Sequence, residues 1–135
     1  MKPQLKRNDL VYPELSYEIV GCAYEVFDEL GFGHAEKTYQ KAFAVALKKK
    51  EILFKEQVHY SVKFKDEIVG KGFLDFEVDG KIIVELKKNV HFSKSHLEQV
   101  LNYLKISDLK LGILITFSND GLKYKRIVNI MKSDP

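Results

Sequence analysis

Cysteine is nearly absent from this 135-residue chain, Cys22 being the only one. A single thiol can form no internal disulfide and no cysteine-based zinc centre. Cys22 falls among apolar residues of an expected helix and reads as a packed core thiol. Long apolar runs are missing too. Nothing approaches the roughly 18 consecutive apolar residues of a membrane-spanning helix. The basic start, Met1 to Arg7, is followed by no apolar signal core. A cytoplasmic location is therefore expected, with no membrane partner. There is no internal repeat, low-complexity tract or linker. Nor is charge of one sign in large excess. A net charge of +3 and a pI of 8.8 suit a nucleic-acid partner without requiring one. Lys48-Lys49-Lys50 is the densest basic run, and a solvated helix C-terminus accounts for it.

What is present suits one soluble globular domain: 45% hydrophobic and 30% charged residues. Residues 1–13 read as a loose N-terminal arm and residues 14–135 as a single domain. Leu15, Ile19, Ala23, Val26, Phe27 and Leu30 recur at helical spacing, and Gly31-Phe32-Gly33 stops that helix. A second helix is expected from His34 to Lys50, with Tyr39, Ala42, Phe43 and Ala46 as its apolar stripe. The period then shortens. Phe54 to Phe64 alternates through Val58, Tyr60, Val62 and Phe64, and Ile68 to Val78 reads as a second strand. Asp79-Gly80 signals a hairpin into a third strand, Lys81 to Lys87. Ser95 and Glu98 suggest a capping box for a third helix, His96 to Ile106, with Leu97, Val100, Leu101 and Leu104 inward. Leu111 to Phe117 is almost continuously apolar, as a strand buried on both faces would be. Tyr124 to Ile130 reads as a final strand or a short helix. The order α-α-β-β-β-α-β defines an α/β domain, a mixed β-sheet flanked by helices.

The chemistry concentrates in Asp75, Glu85 and Lys87. On a strand, residues two apart share a face, so Glu85 and Lys87 point the same way. A buried carboxylate is costly unless paired or bound to metal. Whether Asp75 joins them depends on the hairpin. A two-residue loop at Asp79-Gly80 pairs Asp75 with Val84, on the wrong face. A three-residue loop, Val78-Asp79-Gly80, pairs it with Ile83 and makes Asp75 and Glu85 diagonal neighbours. The site therefore demands the longer loop. Asp75 and Glu85 would hold Mg²⁺ or Mn²⁺ through hard oxygens, with the backbone carbonyl of Leu86 as a further ligand. The ion would polarise a phosphate and activate a water, and Lys87 would orient that water or stabilise developing charge. The short pattern alone is more often a solvated Glu85–Lys87 ion pair.

Two further groups bear on the choice. Glu36 lies three and seven residues before Tyr39 and Phe43, on the buried stripe of its helix. It suits an extra metal or water ligand, or a carboxylate serving the helix dipole. His96, Gln99 and Tyr103 share a helix face distinct from the expected core stripe. That face could contact a nucleic-acid backbone, support the metal ligands, or be ordinary solvent surface.

Gly33-His34-Ala35-Glu36-Lys37-Thr38-Tyr39 resembles the G-x-x-E-x-x-Y signature of the GxxExxY proteins. The resemblance runs on through Glu56-Gln57, Phe73 to Phe76, Ile83 to Lys87, His96 to Leu104, Leu111 to Phe117 and Lys125 to Val128. It implies a PD-(D/E)XK nuclease with a restriction-endonuclease-like core. Asp75, Glu85 and Lys87 would then be catalytic, with Glu36 as an auxiliary acid. Gln99 and Tyr103 resemble the Q-x-x-x-Y element of the exonuclease branch. The proline of the superfamily's name is Leu74 here.

The expected function is an Mg²⁺-dependent nuclease cutting DNA by metal-activated water. A homodimer would help it embrace a duplex, because so small a domain has few loops for grip. The alternative is a non-catalytic nucleic-acid- or protein-binding module that retains the fold. Glu85 locked to Arg126 or to a neighbouring lysine in a filled notch would favour the second reading.

Overall fold

The computed structural model describes residues 11–88 and 91–130. Most of the expected N-terminal arm, residues 1–10, lies outside them. Three helices and five strands follow one another: α1 Pro13–Leu30, α2 Glu36–Lys49, β1 Phe54–Phe64, β2 Glu67–Val78, β3 Ile82–Lys88, α3 Lys94–Ser107, β4 Leu111–Ser118 and β5 Gly121–Val128. Proline at the first position of α1 costs nothing, because that N–H has no intrahelical partner. Gly31, at φ 71°, closes α1 by donating its N–H to the Phe27 carbonyl at 2.8 Å.

Two helix starts differ from expectation. Helix α2 begins at Glu36 rather than His34. Helix α3 is capped by Ser93, whose hydroxyl accepts the His96 N–H at 3.2 Å, and not by Ser95. Both serines suit a cap by residue type, and the one with extended backbone takes the position. The chain's last element is a strand, β5, beginning at Gly121.

The strands form one sheet in the order β1-β2-β3-β4-β5, antiparallel except for the β3–β4 pair. Helix α3 provides the crossover that a parallel pair needs. Helices α1 and α2 cover one face, with Tyr39 stacked on Phe117 at 4.4 Å and Phe43 edge-on to Phe76 at 5.0 Å. Helix α3 covers the other face, packing Val100 and Leu104 over Leu74 and Ile83. Strand β4 is buried from Leu111 through Phe117, as its apolar run required. Gly112 lets α3 close on β4, because a Cβ there would meet the Val100 side chain at 2.5 Å. Cys22 is buried in the first core, and burial pushes its thiol up to about 11, so it stays an inert packing group.

Strand β2 changes face in its middle. On a regular strand Leu74 and Phe76 would point the same way. Here Phe76 enters the α1/α2 core and Leu74 the α3 core. The turnover falls at Asp75. Across the ladder to β1, Glu56 pairs with Phe76 and Val58 with Leu74, while Gln57 and Asp75 drop out between them. Gln57 holds a positive φ of 54° there. On the other side, β2 pairs with β3 only through Phe76–Val84, Glu77–Ile83 and Val78–Ile82. Beyond Asp75 the two strands part.

The distal half of the β1–β2 hairpin departs from the alternation expected of it. Val62, Phe64, Ile68 and Val69 are exposed.

Candidate active site

The parting of β2 and β3 leaves an edge of β3 without a strand partner. Buried backbone N–H groups must find acceptors. Residues of one parity on a strand send their N–H groups to the same side, so Leu86 and Lys88 both face the gap. Two carboxylates take the place of the missing strand. Asp75 Oδ2 accepts the Leu86 N–H at 2.8 Å. Glu36 Oε1 accepts the Lys88 N–H at 3.1 Å. A third carboxylate bonds in the reverse direction, Glu85 Oε1 accepting the Asp75 N–H at 2.9 Å. Three acids from α2, β2 and β3 therefore meet along one strand edge.

The hairpin that brings Asp75 to Glu85 has three residues, as the site demanded, but they are Asp79, Gly80 and Lys81. The register is Val78–Ile82 rather than Glu77–Lys81. Asp79 and Gly80 both hold positive φ, 53° and 65°, which is what an Asp-Gly turn favours. Extended by one step, this register sets Asp75 directly opposite Glu85, not diagonal to it.

Asp75 and Glu85 are 6% and 5% exposed. Burial is the main force raising the pKa of each. It pushes Glu85 up to about 7, helped by the charge of Asp75 and opposed by the Asp75 N–H and Lys87. Asp75 is raised by burial against the Leu86 N–H and Lys87, while the Glu36 charge adds to the rise. Lys87 Nζ stands 3.6 Å from Glu85 Oε2. With about a quarter of its side chain exposed, Lys87 spans the buried acids and the solvent. Arg126 is turned elsewhere, donating to the Val11 carbonyl and to Ser16 Oγ. Lys88 Nζ lies 5.7 Å from the centre of the Phe32 ring.

The segment Gly33 to Tyr39 positions Glu36. Gly33, at φ 119°, occupies a conformation that side chains disfavour. Glu36 is the first residue of α2, and Tyr39 follows one turn later. The Tyr39 hydroxyl donates to the Gly31 carbonyl at 2.5 Å and anchors the α1–α2 connection. The glycine, the acid and the tyrosine thus serve one bend that delivers a carboxylate to β3.

Sequence reasoning missed one participant. Gln40, one turn after Glu36, stands beside the Asp75 carboxylate, and its side-chain amide draws the Asp75 pKa down. Its spacing of four from Glu36 was the available signal.

The third helix needs a correction. Tyr103 is 6% exposed and belongs to the core under α3, edge-on to Tyr60 at 5.3 Å. It does not form a separate polar face with His96 and Gln99, both of which are half-buried. Leu97 and Leu101, expected inside, are also half-buried. The helix is rotated so that its inward edge runs Val100, Tyr103, Leu104. Among the described residues, His96 Nδ1 is buried with no hydrogen-bond partner.

The donor set suits a hard divalent cation. Two buried carboxylates face each other, and their crowded charge is what a cation relieves. A strand residue directs its C=O to the same side as its N–H, so the Leu86 carbonyl lines the same edge. Among the described residues, no three His, Cys, Asp or Glu side chains converge on one point. A cation would therefore use two carboxylates, the carbonyl and water, a common arrangement for Mg²⁺.

A three-helix, five-strand domain with paired acids where the central antiparallel strands separate is a restriction-endonuclease-like fold. A family model described as the PD-(D/E)XK nuclease superfamily matches residues 13–127, and the chain belongs to that superfamily. Among solved structures, the crystal structure of a protein designated SSO0001 is similar in fold, with a TM-score of 0.56 and 17% identity. The match covers 90% of this chain and 59% of that one. No curated protein matches the chain. Among the described residues, no helix is long and apolar enough to cross a membrane.

Proposed function

We propose that the chain is a divalent-metal-dependent nuclease that hydrolyses phosphodiester bonds in DNA. The observation that carries the reading is the buried pair Asp75 and Glu85, set opposite each other with Lys87 Nζ 3.6 Å from Glu85. A domain retains two buried, raised-pKa acids with a lysine at a strand gap more readily for chemistry than for stability. Asp75, Glu85 and the Leu86 carbonyl would hold Mg²⁺ or Mn²⁺. Such an ion supplies positive charge to the scissile phosphate and lowers the pKa of an attached water. Lys87 orients the attacking water and offsets negative charge developing at phosphorus. From α2, Glu36 holds β3 in place through the Lys88 N–H, and Gln40 positions Asp75. Gln99 and His96, near the start of α3, support the nucleic-acid backbone, and Tyr103 does so by fixing the helix in place.

The superfamily points to nucleic acid, and DNA is our assignment within it. We also assign the chain to the GxxExxY group, on Gly33, Glu36 and Tyr39 serving one bend. A homodimer would supply the grip that so small a domain lacks.

Two observations favour the second reading, a non-catalytic binding module. Glu85 is ion-paired to the neighbouring Lys87 at 3.6 Å. The carboxylates of Asp75 and Glu36 also satisfy backbone N–H groups of β3. A chain that no longer cut would still need them.

Cleavage of labelled single- and double-stranded DNA and of RNA, with Mg²⁺ or Mn²⁺, decides the matter. Wild type should cut, and Glu85→Ala and Lys87→Ala should each lose roughly a hundredfold or more. A wild type that cuts nothing, or variants that cut equally well, would leave the binding module.

A further inference from the structure

A cleft of about 300 Å³ opens beside the candidate active site, lined by His91, Phe92, Thr116, Asn119, Asp120 and Lys123, with Ser118 at its edge. The sheet places it. Lys87 pairs with Thr116 on β4, and Thr116 pairs with Lys123 on β5. Adjacent strands lie roughly 4.8 Å apart, so Lys123 stands about 10 Å across the sheet from Lys87. Paired residues share a face, so the cleft adjoins Lys87 on the side away from the carboxylates.

The lining says what fits. Lys123 and Asp120 cancel in charge, which does not suit a run of phosphates. Phe92 offers an aromatic ring, and Asn119 and Asp120 are exposed at the β4–β5 turn. The Ser118 hydroxyl is taken up by the turn, donating to the Gly121 carbonyl and accepting the Asp120 N–H. That leaves an aromatic surface with a donor, an acceptor and an amide carrying both. A neutral planar heterocycle with mixed hydrogen-bonding edges matches it, and a nucleobase is one. The volume falls at the lower end of small-ligand sites, as one nucleotide requires.

Resting on the nuclease reading of the neighbouring site, we propose that this cleft is a nucleotide subsite. It receives the base next to the phosphate held at Lys87, stacked on Phe92 and hydrogen-bonded by Asn119, Asp120 and Lys123. A base in the cleft cannot be paired to a complementary strand. The substrate is therefore single-stranded or frayed at the point of cleavage.

The test uses ten-nucleotide single strands carrying one 2-aminopurine, moved along the strand, bound to the full chain in EDTA so that nothing is cut. A fluorescence change at one or two label positions, absent in a fully paired duplex, is expected. Phe92→Ala should abolish that change, and Phe92→Ala and Asn119→Ala should each weaken binding by about tenfold, as loss of a stacking or edge partner does. With Mn²⁺ present, both variants should raise KM and leave kcat in place. Equal response at every label position, equal response in the duplex, or wild-type affinity in both variants would overturn the subsite. The two readings fail separately. Cleavage by wild type without a position-dependent signal removes the subsite alone, and the signal without cleavage removes the nuclease alone.

Discussion

Asp75 and Glu85 each brace the backbone of the opposing strand: the Glu85 carboxylate accepts the Asp75 N–H at 2.9 Å, and the Asp75 carboxylate accepts the N–H of Leu86, the residue after Glu85, at 2.8 Å. The two acids thus take over the strand pairing at the point where β2 turns from one core to the other. Their burial raises both pKa values, and these bonds limit how far.

Without metal, the protein should be more stable near pH 5 than near pH 8. A carboxyl whose folded pKa lies above its unfolded value binds more protons folded than unfolded between those two values. For Glu85 the window runs from 4.5 to about 7. Stability falls as pH rises through it, by at most roughly 3 kcal/mol, since a proton held by the folded state alone is worth about 1.4 kcal/mol for every pH unit crossed. Melting temperatures across pH 5–8 in EDTA, compared between wild type and Glu85→Gln, isolate this contribution. Added Mg²⁺ should restore most of the loss at pH 8. Parallel curves for the two proteins would remove the buried acid as the cause.

Glu85→Gln should stabilise the metal-free fold above pH 7 while abolishing cleavage. The glutamine oxygen can still accept the Asp75 N–H, and the buried charge is gone. A gain of about 1–3 kcal/mol in urea unfolding at pH 8 is expected, the stability–activity opposition common at active sites. A loss of stability would show that Lys87 balances the Glu85 charge more fully than burial penalises it.

Removing Glu36 should loosen β3. Glu36→Ala takes away the acceptor of the Lys88 N–H, and a cost of about 1 kcal/mol follows, the low end for a half-buried group that water can reach. Glu36→Gln should recover that stability. If cleavage recovers equally in Glu36→Gln, the residue acts by position alone; if it does not, the charge itself contributes.

Gly112→Ala should destabilise by about 1–3 kcal/mol, because its Cβ would stand 2.5 Å from Val100 Cγ1. Val100→Ala in the same chain should return part of that loss, since the two sites are in contact. Additive costs in denaturant unfolding would mean that α3 does not seat on β4 through this pair.

Tyr103 separates a core role from a surface role. Tyr103→Ala should cost about 3–5 kcal/mol, as removal of a buried aromatic does, while Tyr103→Phe should stay within about 1 kcal/mol of wild type. Little change in Tyr103→Ala would return the ring to the surface.

Much of this fold is written in local patterns. The apolar run Leu111 to Phe117 is a strand with both faces covered, and the spacing of Ile19, Ala23 and Val26 is a helix with one. The closeness of Asp75 and Glu85 was legible because face parity depends only on whether the hairpin loop is odd. Which three residues form that loop was not, because Val78 and Lys81 can each serve at its margin and only sheet packing chooses. The rotation of α3 was hidden because Leu97 and Leu101 compete with Tyr103 for the inward edge. The winner is set by where Gly112 and Tyr60 leave room, which is a matter of tertiary contact. The turnover of β2 at Asp75 leaves no mark in hydrophobic alternation, since Leu74 and Phe76 are both apolar and both buried.

The three amides capped by active-site carboxylates give the protein its own reporters. The N–H protons of Asp75, Leu86 and Lys88 each point at one acid: Glu85, Asp75 and Glu36 in turn. Their resonances should move as each acid gains or loses a proton or is drawn to a cation. Three backbone signals would then follow the three carboxylates separately, in the unmodified protein, with no label on the acids themselves.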